Sequence, residues 1–468
     1  MTIKRINVFM LAMLITGAID SIRNLPTTAL FGTELIFFCI FAAIVFLIPT
    51  ALVAADLSSR LPEHGGVYRW VRLAFGENMG FLTVWLQWIN TIVWYPTILS
   101  FIAGTLAYLL DPALLNNRAY LVVVILVTFW ALTLLNLRGL HVSAKFATVC
   151  TIIGMVIPMG MIIVLGLLWS FSGHAVHLHF SVRAMMPNLS QPHNWISLTA
   201  IMASFLGMEL AAVHVQQVEN PRRNFPRALM ISVAIILTTM ILGALSIAEV
   251  LPGQRISLVS GVVQAMRDFL AAYHLSWCLP IFVLLILIGS VGSMINWIIS
   301  PAKGLLQAGQ HGFLPAWMAK ENENGVAKNL LLLQAVLVSA VCLAFLWMPS
   351  VNGSYWFLTD LSTELYLLMY VIMFFSAIRL QKLFRDRPAP FYLPGGRAAS
   401  WVVAGLGLFG SILAMVVGFI PPANINVGNP ANYDWLFFMG MLVMVLPVLF
   451  FVVYRQSQLK RLPGDKLS

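Results

Sequence analysis

Thr16-Gly17-Ala18-Ile19-Asp20-Ser21-Ile22-Arg23-Asn24-Leu25-Pro26 sets an acid, a base and a proline inside an otherwise apolar stretch near the N-terminus. A second interruption, Ser204-Phe205-Leu206-Gly207-Met208-Glu209, lies just before the middle of the chain. An ion within a bilayer is expensive, so it usually faces a bundle interior and does a job there. Two interrupted helices at corresponding places in two halves point to the central binding site of a small-molecule carrier.

The surrounding sequence supports a membrane setting. Of its 468 residues, 60% are hydrophobic and only 9% charged, and the mean hydropathy is +0.89, which excludes an ordinary soluble domain. Apolar stretches long enough to cross a bilayer recur from end to end. We read about twelve, centred near Met13, Ile44, Ile92, Phe129, Met155, Ala203, Ile236, Leu287, Val336, Met369, Phe409 and Val445. The fold class is therefore an all-α integral membrane protein, a single transmembrane domain over residues 1–468. No small-residue cleavage site follows the first apolar stretch, so it reads as a retained anchor rather than a signal peptide. The longest segments expected outside are 171–194 and 251–273. Within the latter, residues 257–266 read as a short helix on the outer surface.

The net charge of +10 would point to nucleic acid in a soluble protein, but its distribution points to topology. With both termini inside, Arg118, Arg183, Arg255 and Arg267 fall outside and Arg23 lies in the first break; every other Lys and Arg is cytoplasmic. That asymmetry obeys the positive-inside rule and argues against a nucleic-acid partner. Arg69, Trp70 and Arg72, after the turn at Pro62-Glu63-His64-Gly65-Gly66, suit the inner headgroup level. Cys39, Cys150, Cys278 and Cys342 lack paired spacing and read as free structural thiols. His174, His177 and His179 match no structural metal site and read as an exposed pH-sensitive patch. No phosphate-cradling loop and no nucleophile–base arrangement is present, so ATP-driven transport, enzyme catalysis, a metal and a cofactor are not expected.

On a helix Asp20 and Arg23, three apart, would share a face and could pair, forming a strut between helices. The alternative is that they grip a zwitterion, together with backbone opened by Ser21, Asn24 and Pro26. In the second break Ser204 and Gly207 let the backbone open, and Glu209 heads a second half-helix, where a buried carboxyl could take up a proton. Asp360 and Glu364 share the tenth span; Asp360 is expected near the outer surface without a special role, and Glu364 deeper, beside the pathway. Trp88, Trp94, Tyr95 and Trp297 could gate or stack on a substrate, although most aromatics in such a chain face lipid or pack.

At four stretches the chain resembles a known family. These are Asn24-Leu25-Pro26; Pro62-Glu63-His64-Gly65-Gly66-Val67-Tyr68; Phe205-Leu206-Gly207-Met208-Glu209 with Glu219-Asn220-Pro221-Arg222-Arg223-Asn224-Phe225-Pro226; and Ser300-Pro301-Ala302-Lys303-Gly304 with His311-Gly312-Phe313-Leu314-Pro315. The resemblance is to the amino acid–polyamine–organocation superfamily, and within it to the bacterial glutamate:γ-aminobutyrate antiporters. It implies a LeuT-like 5+5 inverted repeat plus two C-terminal helices: residues 6–170, 195–380 and 398–454. It also implies alternating access, with substrate held by unwound backbone of helices one and six. Those positions are Ile19, Asp20, Ser21 and Ile22, and Ala203, Ser204 and Gly207; Glu209 matches the acid after the second break. Asp20 and Arg23 depart from the small or aromatic residues usual there. The chain also ends soon after its last helix, so a C-terminal plug is not expected.

The expected function is exchange of an amino acid for a related amino acid or its decarboxylated amine across a bacterial inner membrane. Substrate would meet Ile19 to Arg23, Ala203, Ser204 and Gly207, while Glu209, Glu364 and Trp297 would couple protons or gate. The alternatives are a proton-coupled symporter using Glu209 and a nutrient sensor on the same fold. Ser290 and Ser293 offer hydroxyls to a sodium ion. The expected partners are a small amino acid or amine and the bilayer, and a homodimer is compatible with the sequence.

Overall fold

The structure, a computed structural model, describes residues 7–61, 66–138, 149–150, 152–209, 218–383, 391, 393 and 395–461. It is helical throughout; among the described residues the one extended pairing is an isolated bridge between Glu321 and Ala327.

The chain begins with α1 (Val8–Ile19), capped by the Asn7 side chain accepting from the Met10 N–H at 2.8 Å. Asp20 and Ser21 are extended, a short 3-10 turn covers Ile22–Asn24, and α2 (Leu25–Ala29) follows with Pro26 in its first turn. The two halves are bent by 45°. Then come α3 (Gly32–Arg60), α4 (Gly66–Phe75), α5 (Glu77–Leu110), α6 (Arg118–Leu137) and α7 (Ile152–Phe171). The second broken helix is α8 (Ile196–Ala203), which unwinds over residues 204–207 and restarts at Met208. After it run α9 (Pro221–Val250), α10 (Gly261–Ala272), α11 (Leu279–Ala308), α12 (Lys328–Trp347) and α13 (Val351–Leu383). Last are α14 (Gly396–Gly418), α15 (Pro430–Val445) and α16 (Pro447–Arg461).

Among the described residues ten helices are long and apolar enough to cross a membrane, and the bent α1–α2 pair makes an eleventh. The twelfth expected span, centred near Ala203, is interrupted after α8, and residues 210–217 lie outside the described residues. In the apolar windows of α5 and α13, 78% of residues are buried, against 17% in Pro430–Lys460. So α5 and α13 form the centre of the bundle, and the last span turns most of its surface to lipid. Around that centre α5 packs on α11 and α13, and α13 packs on α14. Where α7 crosses α11, Gly154 meets Gly289, and a β-carbon on either would collide with the other's backbone. That close approach requires glycine at both positions.

Two expectations about the loops change. Residues 62–65 lie outside the described residues, but Trp70 is 1% exposed, packed inside the protein rather than at a lipid interface. Helix α4 is strongly amphipathic and turns that apolar face inward, while Arg72 Nη1 meets His311 Nε2 at 2.7 Å. The short helix expected over 257–266 starts later, as α10, because residues 258–260 form a turn. Its Val262, Val263, Met266 and Phe269 are fully buried, so it packs into the protein rather than lying on its surface.

Candidate functional site

A cavity of about 380 Å³ lies between the two breaks, within the range of small-molecule sites. The first break contributes Ile19, Asp20, Ser21, Ile22 and Arg23 to its wall. The second contributes Ala203, Ser204 and Gly207. Trp297 and Trp94 line it as well, with ring centroids 5.3 Å apart. Trp88 and Tyr95 do not line it: the Trp88 indole donates to Gln334 at 2.9 Å, and the Tyr95 hydroxyl to the Trp297 carbonyl at 2.8 Å. Tyr95 is thus a brace beneath the tryptophan that faces the cavity.

The break separates Asp20 from Arg23. Because Asp20 and Ser21 are extended, the two side chains leave the chain in different directions rather than sharing a helical face. Asp20 Oδ2 accepts from the Thr239 hydroxyl of α9 at 2.7 Å. Arg23 Nη1 donates to Thr97 Oγ1 of α5 at 2.8 Å, and the guanidinium lies 5.0 Å from the Trp94 ring centroid. Arg23 is only 8% exposed, and its Nε has no hydrogen-bond partner. The ion-pair strut that the spacing allows is therefore not formed. The site instead offers one anionic and one cationic side chain, each held by its own helix.

The second break rests on its own glycine and an acid. Gly207 has φ +99°, a left-handed conformation that a side chain would strain, and its N–H donates to the Tyr370 hydroxyl at 2.9 Å. That hydroxyl donates in turn to Glu209 Oε2. Tyr366 donates to Glu209 Oε1 at 2.5 Å, and Gln87 Nε2 reaches the same oxygen at 3.5 Å. Glu209 is 2% exposed and absent from the cavity wall, whereas Tyr366 and Gln87 belong to it. Glu209 thus touches the cavity through its partners. The tyrosines were missed in the sequence, although two Tyr four apart in one apolar span were the available signal.

On α13 the cavity face is Thr359, Ser362, Thr363 and Tyr366. Glu364, expected beside the pathway, is not on that face: it is fully buried and directed toward Gly418 of α14. Asp360, expected near the outer surface, is 4% exposed and accepts from the Tyr433 hydroxyl of α15 at 3.2 Å. Both corrections follow from helical geometry, since residues four apart share a face and this one turns toward α14 and α15. Ser290 and Ser293 both line the cavity, with Ser293 Oγ donating to the Ser290 carbonyl at 3.0 Å. In the segment 171–194, His174 stacks on Trp169 with centroids 4.3 Å apart, and the His177 N–H donates to the Glu249 carbonyl at 3.0 Å. Among the described residues no three His, Cys, Asp or Glu side chains are grouped to hold a metal.

Broken helices around a mostly apolar cavity that carries one acid and one base, inside a bundle of apolar spans, define a multi-pass membrane protein of the transporter class. The chain belongs to the amino acid permease family, whose profile matches residues 6–453. It is 40% identical to an uncharacterized transporter of Legionella pneumophila, over 96% of each chain. It is 28% identical to the glutamate/gamma-aminobutyrate antiporter of Lactococcus lactis over 96% of this chain and 90% of that one. A probable agmatine/putrescine antiporter of Lactococcus lactis is 23% identical, over 93% and 90%. The Glu219-Asn220-Pro221 stretch has a local role: Asn220 adopts φ +45° at the start of α9, and the Asn224 amide donates to the Glu219 carbonyl at 2.5 Å.

Proposed function

We propose that this protein exchanges an amino acid for a related amino acid or its decarboxylated amine across a bacterial inner membrane, by alternating access, with both termini cytoplasmic. The reading includes a LeuT-like plan of two inverted repeats, 6–170 and 195–380, followed by two further helices. The observation that carries it is the pair of opposite charges on one cavity wall, Asp20 held by Thr239 and Arg23 held by Thr97. A zwitterion matches that pair, its carboxylate toward Arg23 and its ammonium toward Asp20. Backbone at Ser21, Ile22, Ser204 and Gly207 supplies the remaining polar contacts, and Trp297 with Trp94 closes over the substrate. The family and the antiporters among the relatives support exchange rather than sensing.

The Glu209 carboxyl, enclosed by Tyr366 and Tyr370, favours a second reading in which uptake is coupled to a proton. One experiment separates the two. A panel of labelled amino acids is offered to proteoliposomes, each tested empty and preloaded. Uptake into preloaded vesicles alone establishes exchange and names the pair. Uptake into empty vesicles under an acid-outside gradient establishes symport, and no uptake in either removes the transport reading.

A further inference from the structure

Asp360 and Glu364 are a buried acid pair that the cavity chemistry does not use. Asp360 Oδ2 has the Tyr433 hydroxyl, but Asp360 Oδ1 and both Glu364 oxygens have no hydrogen-bond partner. Both carboxyls converge on Gly418: a β-carbon there would collide with Glu364 Oε1 and stand 3.2 Å from Asp360 Oδ1. Glycine at 418 therefore keeps open the space in which the two acids meet. The groups facing that space are Gly418 from α14 and Tyr433 from α15, with Asp434 beyond the phenol. Among the described residues no basic side chain pairs with either acid.

Two neighbouring carboxylates in a low-dielectric interior, with no cation between them, do not both stay ionised. One proton between them turns repulsion into a charge-assisted O–H···O⁻ bond and supplies Glu364 with its missing partner. A pocket beside Asp360 adjoins the transport cavity. This small pocket, with room for about one water, is lined by Thr27, Thr199, Trp356, Thr359, Asp360 and Thr363. Ala203, Thr359 and Thr363 belong to both this pocket and the large cavity.

We infer that Asp360 and Glu364 together hold one exchangeable proton, at an acid site separate from Glu209 and reached from the transport cavity through the threonine-lined pocket. Loading transfers a proton from a hydronium ion in the cavity to a carboxylate oxygen of Asp360. The O–H bond formed there replaces the one broken in the hydronium, a water molecule remains behind, and the pair keeps a single negative charge shared with Glu364. The site is a property of the folded protein whatever the cargo, so it can fail or stand independently of the exchange reading.

The test is infrared spectroscopy of the purified full-length protein in lipid vesicles, in H₂O and D₂O at neutral pH. The expected result is a protonated-carboxyl C=O band that shifts in D₂O and persists in Glu209→Gln. It is displaced by Asp360→Asn or Glu364→Gln alone and absent from the double variant. Absence of the band in the wild type, or its survival in the double variant, overturns the inference. If the double variant does not fold, Gly418→Ala decides, since its methyl group presses on the pair without removing an acid: a displaced band supports the inference and an unmoved one overturns it.

Discussion

The two helix breaks solve the same problem in opposite ways. Each must place irregular backbone and charge inside a membrane bundle, where every unpaired polar group is costly. The first break spreads its charges outward: Asp20 reaches α9 and Arg23 reaches α5, and both still border the cavity. The second draws its charge inward, closing Tyr366, Tyr370 and Gln87 around Glu209 so that only Tyr366 and Gln87 border the cavity. A charge that is held by its neighbours and still borders the cavity is suited to binding. A charge enclosed by three donors is suited to holding a helix in place until a ligand or a proton disturbs it. The first break is thus the place to look for losses of affinity, and the second for losses of stability and of turnover.

Arg23→Gln gives the sharpest contrast. Hydrogen bonds to a charged group contribute about 1.5–3 kcal/mol, so losing the guanidinium raises KM for a carboxylate-bearing substrate roughly tenfold to a hundredfold. Thermal stability in detergent changes little, because no acid is left unpaired. Arg23→Lys restores the charge without the planar fork and recovers only part of the affinity. An unchanged KM in Arg23→Gln would remove the binding role from the first break altogether.

The matching change at the second break is Gly207→Ala. At φ +99° a β-carbon strains the backbone by about 1–3 kcal/mol, which lowers the melting temperature by several degrees and slows turnover more than it weakens binding. Tyr370→Phe comes next, as it strands both the Gly207 N–H and one Glu209 oxygen, a loss of about 1–3 kcal/mol. Tyr366→Phe costs less stability, because Gln87 remains within reach of the oxygen that Tyr366 served. Thermal unfolding ranks these three. A larger KM effect from Tyr370→Phe than from Arg23→Gln would reverse the assignment of roles.

Much of this division was legible in the sequence, and the rest was hidden for identifiable reasons. Acid and helix breakers within apolar stretches located both breaks, because few residues tolerate that setting unless they open a helix. The separation of Asp20 from Arg23 was not legible: three-residue spacing implies a shared face only if the helix continues, and here two extended residues intervene. Glu364 and Asp360 were misplaced because periodicity shows which residues share a face and not which neighbour that face meets. Trp70 was read as an interfacial anchor from composition, whereas the amphipathic α4 buries it. The Glu209 enclosure needed partners from α5 and α13, far away in the chain, so local reading could propose the acid but not its donors.

The smallest effect tests the comparison most finely. Thr239→Val keeps the shape of the side chain and removes the α9 donor to Asp20. Its hydroxyl also lies within reach of the Ile235 and Ile236 carbonyls, so one proton is divided among competing acceptors. The expected cost is about 0.5–1.5 kcal/mol, a change of a few-fold in uptake. The informative quantity is its coupling to Arg23→Gln in a double-mutant cycle on KM. If Asp20 and Arg23 act as two independent holds on a zwitterion, the coupling stays within about 0.5 kcal/mol, because different helices position them. If Asp20, once released from Thr239, turns to Arg23, the single change occupies the guanidinium and the double change does not, so the coupling becomes large. That result would mean that the Thr239 hydrogen bond is what keeps the first break from closing into the strut its spacing permits.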